Sequence, residues 1–100
     1  MTLINSITRA DGSVLRTYKS ARNGNITHVL RFDIAGKGIS SKAVKCDPQG
    51  NPYKVIDAAK NRFDVYTKAE DGSTVLTSKG KKVSFPNLVF NTVCEKIFGK

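Results

Sequence analysis

Ile26-Thr27-His28-Val29-Leu30-Arg31-Phe32-Asp33-Ile34 puts Ile26, His28, Leu30, Phe32 and Ile34 on one side and Thr27, Val29, Arg31 and Asp33 on the other. A period of two is the side-chain rhythm of extended chain, so the stretch reads as a half-buried strand. Upstream, Leu3 to Arg9 and Val14 to Ser20 are β-rich and are separated by Ala10-Asp11-Gly12-Ser13. The Asp-Gly pair there supplies the positive φ that a tight hairpin demands. Arg22-Asn23-Gly24-Asn25 is a second turn-forming cluster, so the first third of the chain is expected to be an antiparallel three-stranded meander. Downstream, Gly36-Lys37-Gly38 connects to an alternating stretch, Ile39 to Cys46, expected as a fourth strand. It is closed by the breaker Asp47-Pro48-Gln49-Gly50-Asn51-Pro52.

Beyond the breaker, Asn51-Pro52 has the cap-then-proline order of a helix start, and Val55, Ile56, Ala59 and Phe63 recur at helical spacing. The expectation is a short middle helix from Pro52 to Asn61. A hairpin should follow over Arg62 to Ser78, turning at Glu70-Asp71-Gly72-Ser73. Its wording repeats that of the first hairpin: a basic residue, Ala, Asp-Gly-Ser and Val-Leu occur in both. Two copies of one turn recipe do not make a repeat array. Lys79-Gly80-Lys81-Lys82 is a basic loop, and Phe85-Pro86 is expected to open an amphipathic helix to Phe98, with Gly99 as its stop. Val89, Val93 and Ile97 would form one row of its apolar stripe. The expected fold is therefore α+β: one domain over residues 1–100, with an antiparallel sheet of about four to six strands. The C-terminal helix and the short middle helix would pack on one face.

The composition restricts function by class. One hundred residues with 39% hydrophobic content make a single small core and exclude a disordered tail. No run reaches the roughly 18 apolar residues of a membrane span. Asn5, Ser6 and Thr8 interrupt what a secretion signal would need. The chain is expected to be soluble, intracellular and cytoplasmic, with no membrane partner. Cys46 and Cys94 read as packed thiols, because two cysteines cannot complete a structural zinc site and a secreted domain of this size commonly carries more. Asn25-Ile26-Thr27 matches a glycosylation acceptor, but nothing routes the chain to that chemistry.

Catalysis finds little to work with. The single histidine, His28, lies among Ile26, Leu30 and Phe32 on the apolar side of its strand, the setting of a hydrogen-bonded core histidine. Asp33, Asp57 and Asp64 stand at no spacing that pairs them with each other or with a nucleophile. Gly36-Lys37-Gly38-Ile39-Ser40-Ser41-Lys42 has its glycines too close together for a phosphate loop. The chain is read as non-enzymatic, with no cofactor and no metal.

Charge is the informative property. The chain carries 17 Lys and Arg against 8 Asp and Glu, a net +9, and successive quarters carry +3, +2, 0 and +4. The surplus avoids the middle segment. It falls on Arg9, Arg16, Lys19, Arg22 and Arg31, on Lys37, Lys42 and Lys45, and on Lys79, Lys81 and Lys82. Arg16 and Tyr18 share one side of their strand, as do Lys42 and Val44, so a cationic sheet surface carrying a tyrosine is sterically feasible. Lysines and arginines there would neutralise phosphates, and Tyr18, Tyr53 or Tyr66 would stack on bases. The expected nucleic-acid-binding set is Arg16, Tyr18, Lys19, Arg22, Arg31, Lys37, Lys42, Lys45, Lys79, Lys81 and Lys82.

Gly50-Asn51-Pro52-Tyr53 resembles a Gly-x-Pro-Tyr string of small filamentous-phage single-stranded DNA-binding proteins. Gly38 to Val44 and Lys60 to Phe63 resemble two pieces of the Alba chromatin proteins; in that family the pieces share one helix, and here the breaker lies between them. Neither resemblance carries a binding residue across. The functional expectation is a small non-catalytic nucleic-acid-binding protein, for single or double strands. The alternative is an inhibitor of the kind viruses and mobile elements encode, which occupies an acidic surface on a host protein. An exposed sheet edge also allows a homodimer.

Overall fold

A computed structural model describes residues 1–34, 38–59 and 62–98, with side chains except at 33, 34, 38 and 39. Eight strands run in chain order, each antiparallel to the next: β1 (Thr2–Thr8), β2 (Val14–Lys19), β3 (Ile26–Ile34), β4 (Gly38–Cys46), β5 (Pro52–Ala59), β6 (Arg62–Lys68), β7 (Ser73–Ser78) and β8 (Lys81–Val89). One helix, α1 (Phe90–Phe98), follows. Eight strands at about 4.8 Å spacing need roughly 34 Å of width, and the molecule measures 36 × 34 × 22 Å. The sheet is therefore open, with β1 and β8 as its two edges.

The expectation of four to six strands with a middle helix is overturned. Residues 52–59 are strand β5, because Val55 and Asp57 alternate with Ile56 and Ala58 as well as they fit a helical row, and pairing decides between the two periods. Val55 faces Val44 on one side and Tyr66 on the other, and it is fully buried. Pro52 opens a strand, where its fixed φ is tolerated, and the chain from Asp47 to Asn51 closes a tight hairpin instead of capping a helix. Of the segments similar to the Alba helix, Gly38 to Val44 accordingly lies in β4 and Arg62-Phe63 opens β6, while Lys60 and Asn61 lie outside the described residues. The C-terminal helix begins at Phe90, not at Pro86. Residues 81–85 pair with β7 in regular register, and Pro86 sits on an edge strand, where its missing N–H breaks no ladder. Val89 is exposed, so the buried row is Phe90, Val93, Cys94 and Phe98. The expected stop at Gly99 and the connector around Gly36 lie outside the described residues.

Three turns repeat one construction. The amide of the first residue donates to the carbonyl four residues on, and a positive-φ glycine donates back, at Arg9–Ser13, Asp47–Asn51 and Ala69–Ser73. Asp11 and Asp71 each accept hydrogen bonds from the amide and the hydroxyl of the serine two residues later. Ser13 and Ser73 are buried. The shared wording of the two Asp-Gly-Ser hairpins is this local geometry.

Helix α1 covers one face of the sheet, chiefly over β4 and β5. The core there joins Leu30, Val44, Cys46 and Val55 to Phe90, Cys94 and Phe98, with Leu15, Ile26, Tyr66 and Ile97 packed at its margin. A helix of nine residues has little stability of its own; burial of its two phenylalanines holds it in place. Among the described residues no helix covers the opposite face.

Candidate nucleic-acid interface

The register fixes what the uncovered face displays. Across the whole sheet runs Ser6, Arg16, Val29, Ala43, Ile56, Val65, Thr77 and Lys82. On one flank lie Val14, Arg31, Ser41, Ala58 and Phe63, and on the other Tyr18, Thr27, Lys45, Lys54, Thr67 and Val75. The centre is a half-buried apolar floor, from Val29 to Val65, with cations around it. Phe63, on the first flank beside this floor, has 62% of its surface exposed.

Two hollows lie on this side. One, of about 550 Å³, is lined by Val14, Arg16, Tyr18, Val29, Arg31 and Ser41 among others. Arg16 faces Val29 across the β2–β3 pair and Arg31 faces Val14, so the two guanidinium stems stand diagonally on adjacent strands. The other hollow, about 640 Å³, takes in Ala58, Phe63, Val65, Thr77 and Lys79. Lys45 lies directly opposite Lys54. Two like charges in that position repel, at a cost of roughly 0.2–1 kcal/mol.

No carboxylate with a described side chain shares this face. Asp57 and Asp64 are on the helix side, Glu95 is on α1, and Asp11, Asp47, Glu70 and Asp71 are in turns. The turn acids are engaged locally. The Ser13 hydroxyl and amide hold Asp11 below the usual carboxylate value, Ser73 does the same for Asp71, and the Asn51 amide does so for Asp47. Among the described residues the ion pairs are those of Arg62, at 3.0 Å from Asp57 and 3.7 Å from Asp64. The register puts the Asp33 position on this side of β3, two residues from Arg31; Arg16, Lys45, Lys54 and Lys82 have no acidic residue opposite them in the described ladders.

The structure brings together Arg16, Tyr18, Arg31, Lys45 and Lys82 of the expected set, and Lys79 at the margin of the second hollow. It separates others. Lys42 shares its side with Val44, but that is the helix side, where it faces Leu30 and Asp57. Lys19 and Lys81 are on the helix side as well, opposite Ile26 and Ser78. Arg22 is in the β2–β3 turn, and Lys37 lies outside the described residues. Tyr66 packs against the core, where burial first, then Asp64 and Asp57, pushes its phenol above the ordinary value. Tyr53 accepts a hydrogen bond from the Asn25 side chain at 3.3 Å. Lys54 and Phe63 are absent from the expected set: a helical reading of 52–61 gives Lys54 no sheet face, and Phe63, in the expected hairpin, has no register through β5 to tie its side to the cations. The alternation Lys54, Ile56, Ala58 against Val55, Asp57, Ala59 was the available signal.

His28 is on the helix side, its Nδ1 3.0 Å from the Thr17 hydroxyl and its ring centroid 6.4 Å from that of Phe98. Both cysteines are buried as thiols in the core. Among the described residues no three His, Cys, Asp or Glu side chains converge as metal ligands, and no helix is long and apolar enough to cross a membrane. No protein-family model matches the chain, and neither a curated protein nor a solved structure is similar to it at a significant level.

Proposed function

We propose that the uncovered sheet face binds a nucleic acid strand without catalysis. One observation carries this reading: Arg16, Arg31, Lys45, Lys54 and Lys82 share a face with exposed Phe63 and half-buried Tyr18, and along the described strands the one acidic position that the register puts on that face is Asp33, beside Arg31. Phosphates relieve the Lys45–Lys54 repulsion and release counterions as they bind. Phe63 and Tyr18 offer π-faces on which unpaired bases stack without sequence readout. Accessible aromatics serve splayed bases better than paired ones, so a single strand is the preferred ligand.

The test removes equal charge from the two faces. Fluorescence anisotropy with a labelled single-stranded oligonucleotide should give a Kd that weakens log-linearly with salt. Arg16→Ala/Arg31→Ala should lower that slope by about 0.7 for each phosphate the variant no longer neutralises. Lys19→Ala/Lys81→Ala, on the helix side, should leave Kd and slope nearly unchanged. Equal losses from both pairs would reduce the effect to net charge, and absence of binding at low salt would end the proposal. In that event a nuclease-resistant complex with an acidic protein would favour the inhibitor reading.

A further inference from the structure

We propose that the chain pairs with a second copy of itself through β1, edge to edge across a two-fold axis. A sheet edge presents unpaired N–H and C=O groups, and proteins guard such edges with lysine, proline or irregularity. The β8 edge is guarded in all three ways: Lys81 and Lys82 open it, Pro86 interrupts it, and its register with β7 jumps from Phe85 to Val89. The β1 edge has neither charge nor proline from Thr2 to Thr8; its one irregularity, a register shift with β2 between Leu3 and Asn5, leaves Ser6 to Thr8 regular, and Leu3, Ile4 and Ile7 are 49%, 53% and 48% exposed. A two-fold contact sets a strand against an identical strand, so any net charge it carries is opposed by the same net charge. Neutral β1 satisfies that condition, which is why a second copy, and not a charged peptide, is the fitting occupant.

The hydrogen-bond pattern fixes the register. The Arg9 amide donates to the Ser13 carbonyl at 2.8 Å, and bonded pairs alternate along an antiparallel ladder. Ile7 and Leu15 are therefore the next bonded pair, and the main chains of Ser6 and Thr8 point off the edge. Setting Ser6 against Thr8 of the second copy, and Thr8 against its Ser6, makes four backbone hydrogen bonds. Ile7 then lies against its own counterpart on the helix side. The two uncovered faces become one surface, with the Arg16 positions on either side of the axis about three strand spacings apart, roughly 14 Å.

This inference does not depend on what the open face binds, and salt separates the two. Each chain carries +9, so screening should tighten the dimer while it weakens binding to a polyanion. The experiment is sedimentation equilibrium of nucleic-acid-free protein from micromolar to near-millimolar concentration, at low and high salt. Expected is a mass of twice 10.9 kDa, populated more at high salt. Ile7→Lys should shift the protein to monomer with its circular dichroism unchanged, and Val83→Lys on the opposite edge should leave the dimer intact. Ile7→Cys should cross-link on mild oxidation, because a non-bonded antiparallel pair holds its Cα atoms about 4.5 Å apart, within disulfide reach. If Ile7→Lys does not fold, the cysteine variant decides. A monomer at every concentration, a dimer indifferent to Ile7→Lys, failure of Ile7→Cys to cross-link, or open-ended growth through β1 on β8 would each overturn the proposal.

Discussion

Lys54→Glu should stabilise the protein and weaken its binding at the same time. Lys54 is half-buried and lies directly opposite half-buried Lys45, and their other ladder neighbours, Thr27 and Thr67, carry no charge to compensate. Cross-strand like charges cost roughly 0.2–1 kcal/mol, and an opposite pair in the same place gains a similar amount, so the swing is about 0.5–2 kcal/mol. For a domain of this size 1 kcal/mol moves Tm by about 4–8 °C, so Tm should rise by several degrees at low salt. The gain should shrink as salt is added. The substitution takes a cation away from the phosphates and places an anion beside Lys45, so oligonucleotide affinity should fall by about tenfold or more. Thermal unfolding followed by circular dichroism reads the first effect and anisotropy the second. A lowered Tm with unchanged affinity would refute the idea that this lysine pair is held for an anionic ligand. The opposition of the two effects is the usual mark of a functional position.

Phe63→Ala removes a ring that is 62% exposed and should leave Tm nearly unchanged, while costing about 1–3 kcal/mol of single-strand affinity; an unchanged Kd in the same anisotropy assay would remove stacking from the account. Phe98→Ala deletes a fully buried ring that holds α1 on the sheet beside His28. Urea unfolding should show a loss of about 3–5 kcal/mol, a large share of a small domain's stability, and a loss under about 1 kcal/mol would contradict the helix-anchoring role. Asp11 and Asp71 are held below the ordinary carboxylate value of 3.8 by their serines, so the stability they contribute is present above that pH and is lost as pH falls below it. The wild-type Tm should accordingly drop more steeply below about pH 4 than that of Asp11→Asn/Asp71→Asn, and parallel pH profiles would show that these turns are not acid-sensitive.

Much of the strand pattern was legible because its signals are local. Ile26 to Ile34 alternates over nine residues, and each Asp-Gly-Ser cluster encodes its own turn geometry. The segment from Pro52 to Phe63 was not legible in the same way. Val55, Ile56 and Ala59 satisfy both a period of 3.6 and a period of two over so short a run, and only the ladders to Val44 and Tyr66 choose between them. Residues 81–89 misled for a similar reason: Phe85-Pro86 looks like a helix opening, yet an edge strand accepts a proline equally well. The candidate interface was half legible. Arg16 and Tyr18 share a side by parity alone, but whether Lys42 joins them depends on the register through β3. That register aligns Arg16 with Val29 and Ala43 and sends Lys42 to the helix side. Lys54 could be placed on the open face only once β5 was known to be a strand, and Phe63, already in an expected hairpin, only once the β5–β6 register joined its side to that face.

Amide chemical-shift mapping during titration with a short single-stranded oligonucleotide tests most directly whether the uncovered face is the binding surface. Shifts should concentrate at Arg16, Tyr18, Val29, Arg31, Lys45, Lys54 and Phe63, and should spare α1 together with Lys19, Lys42 and Lys81. Shifts centred on α1, or spread evenly over basic residues of both faces, would contradict the account.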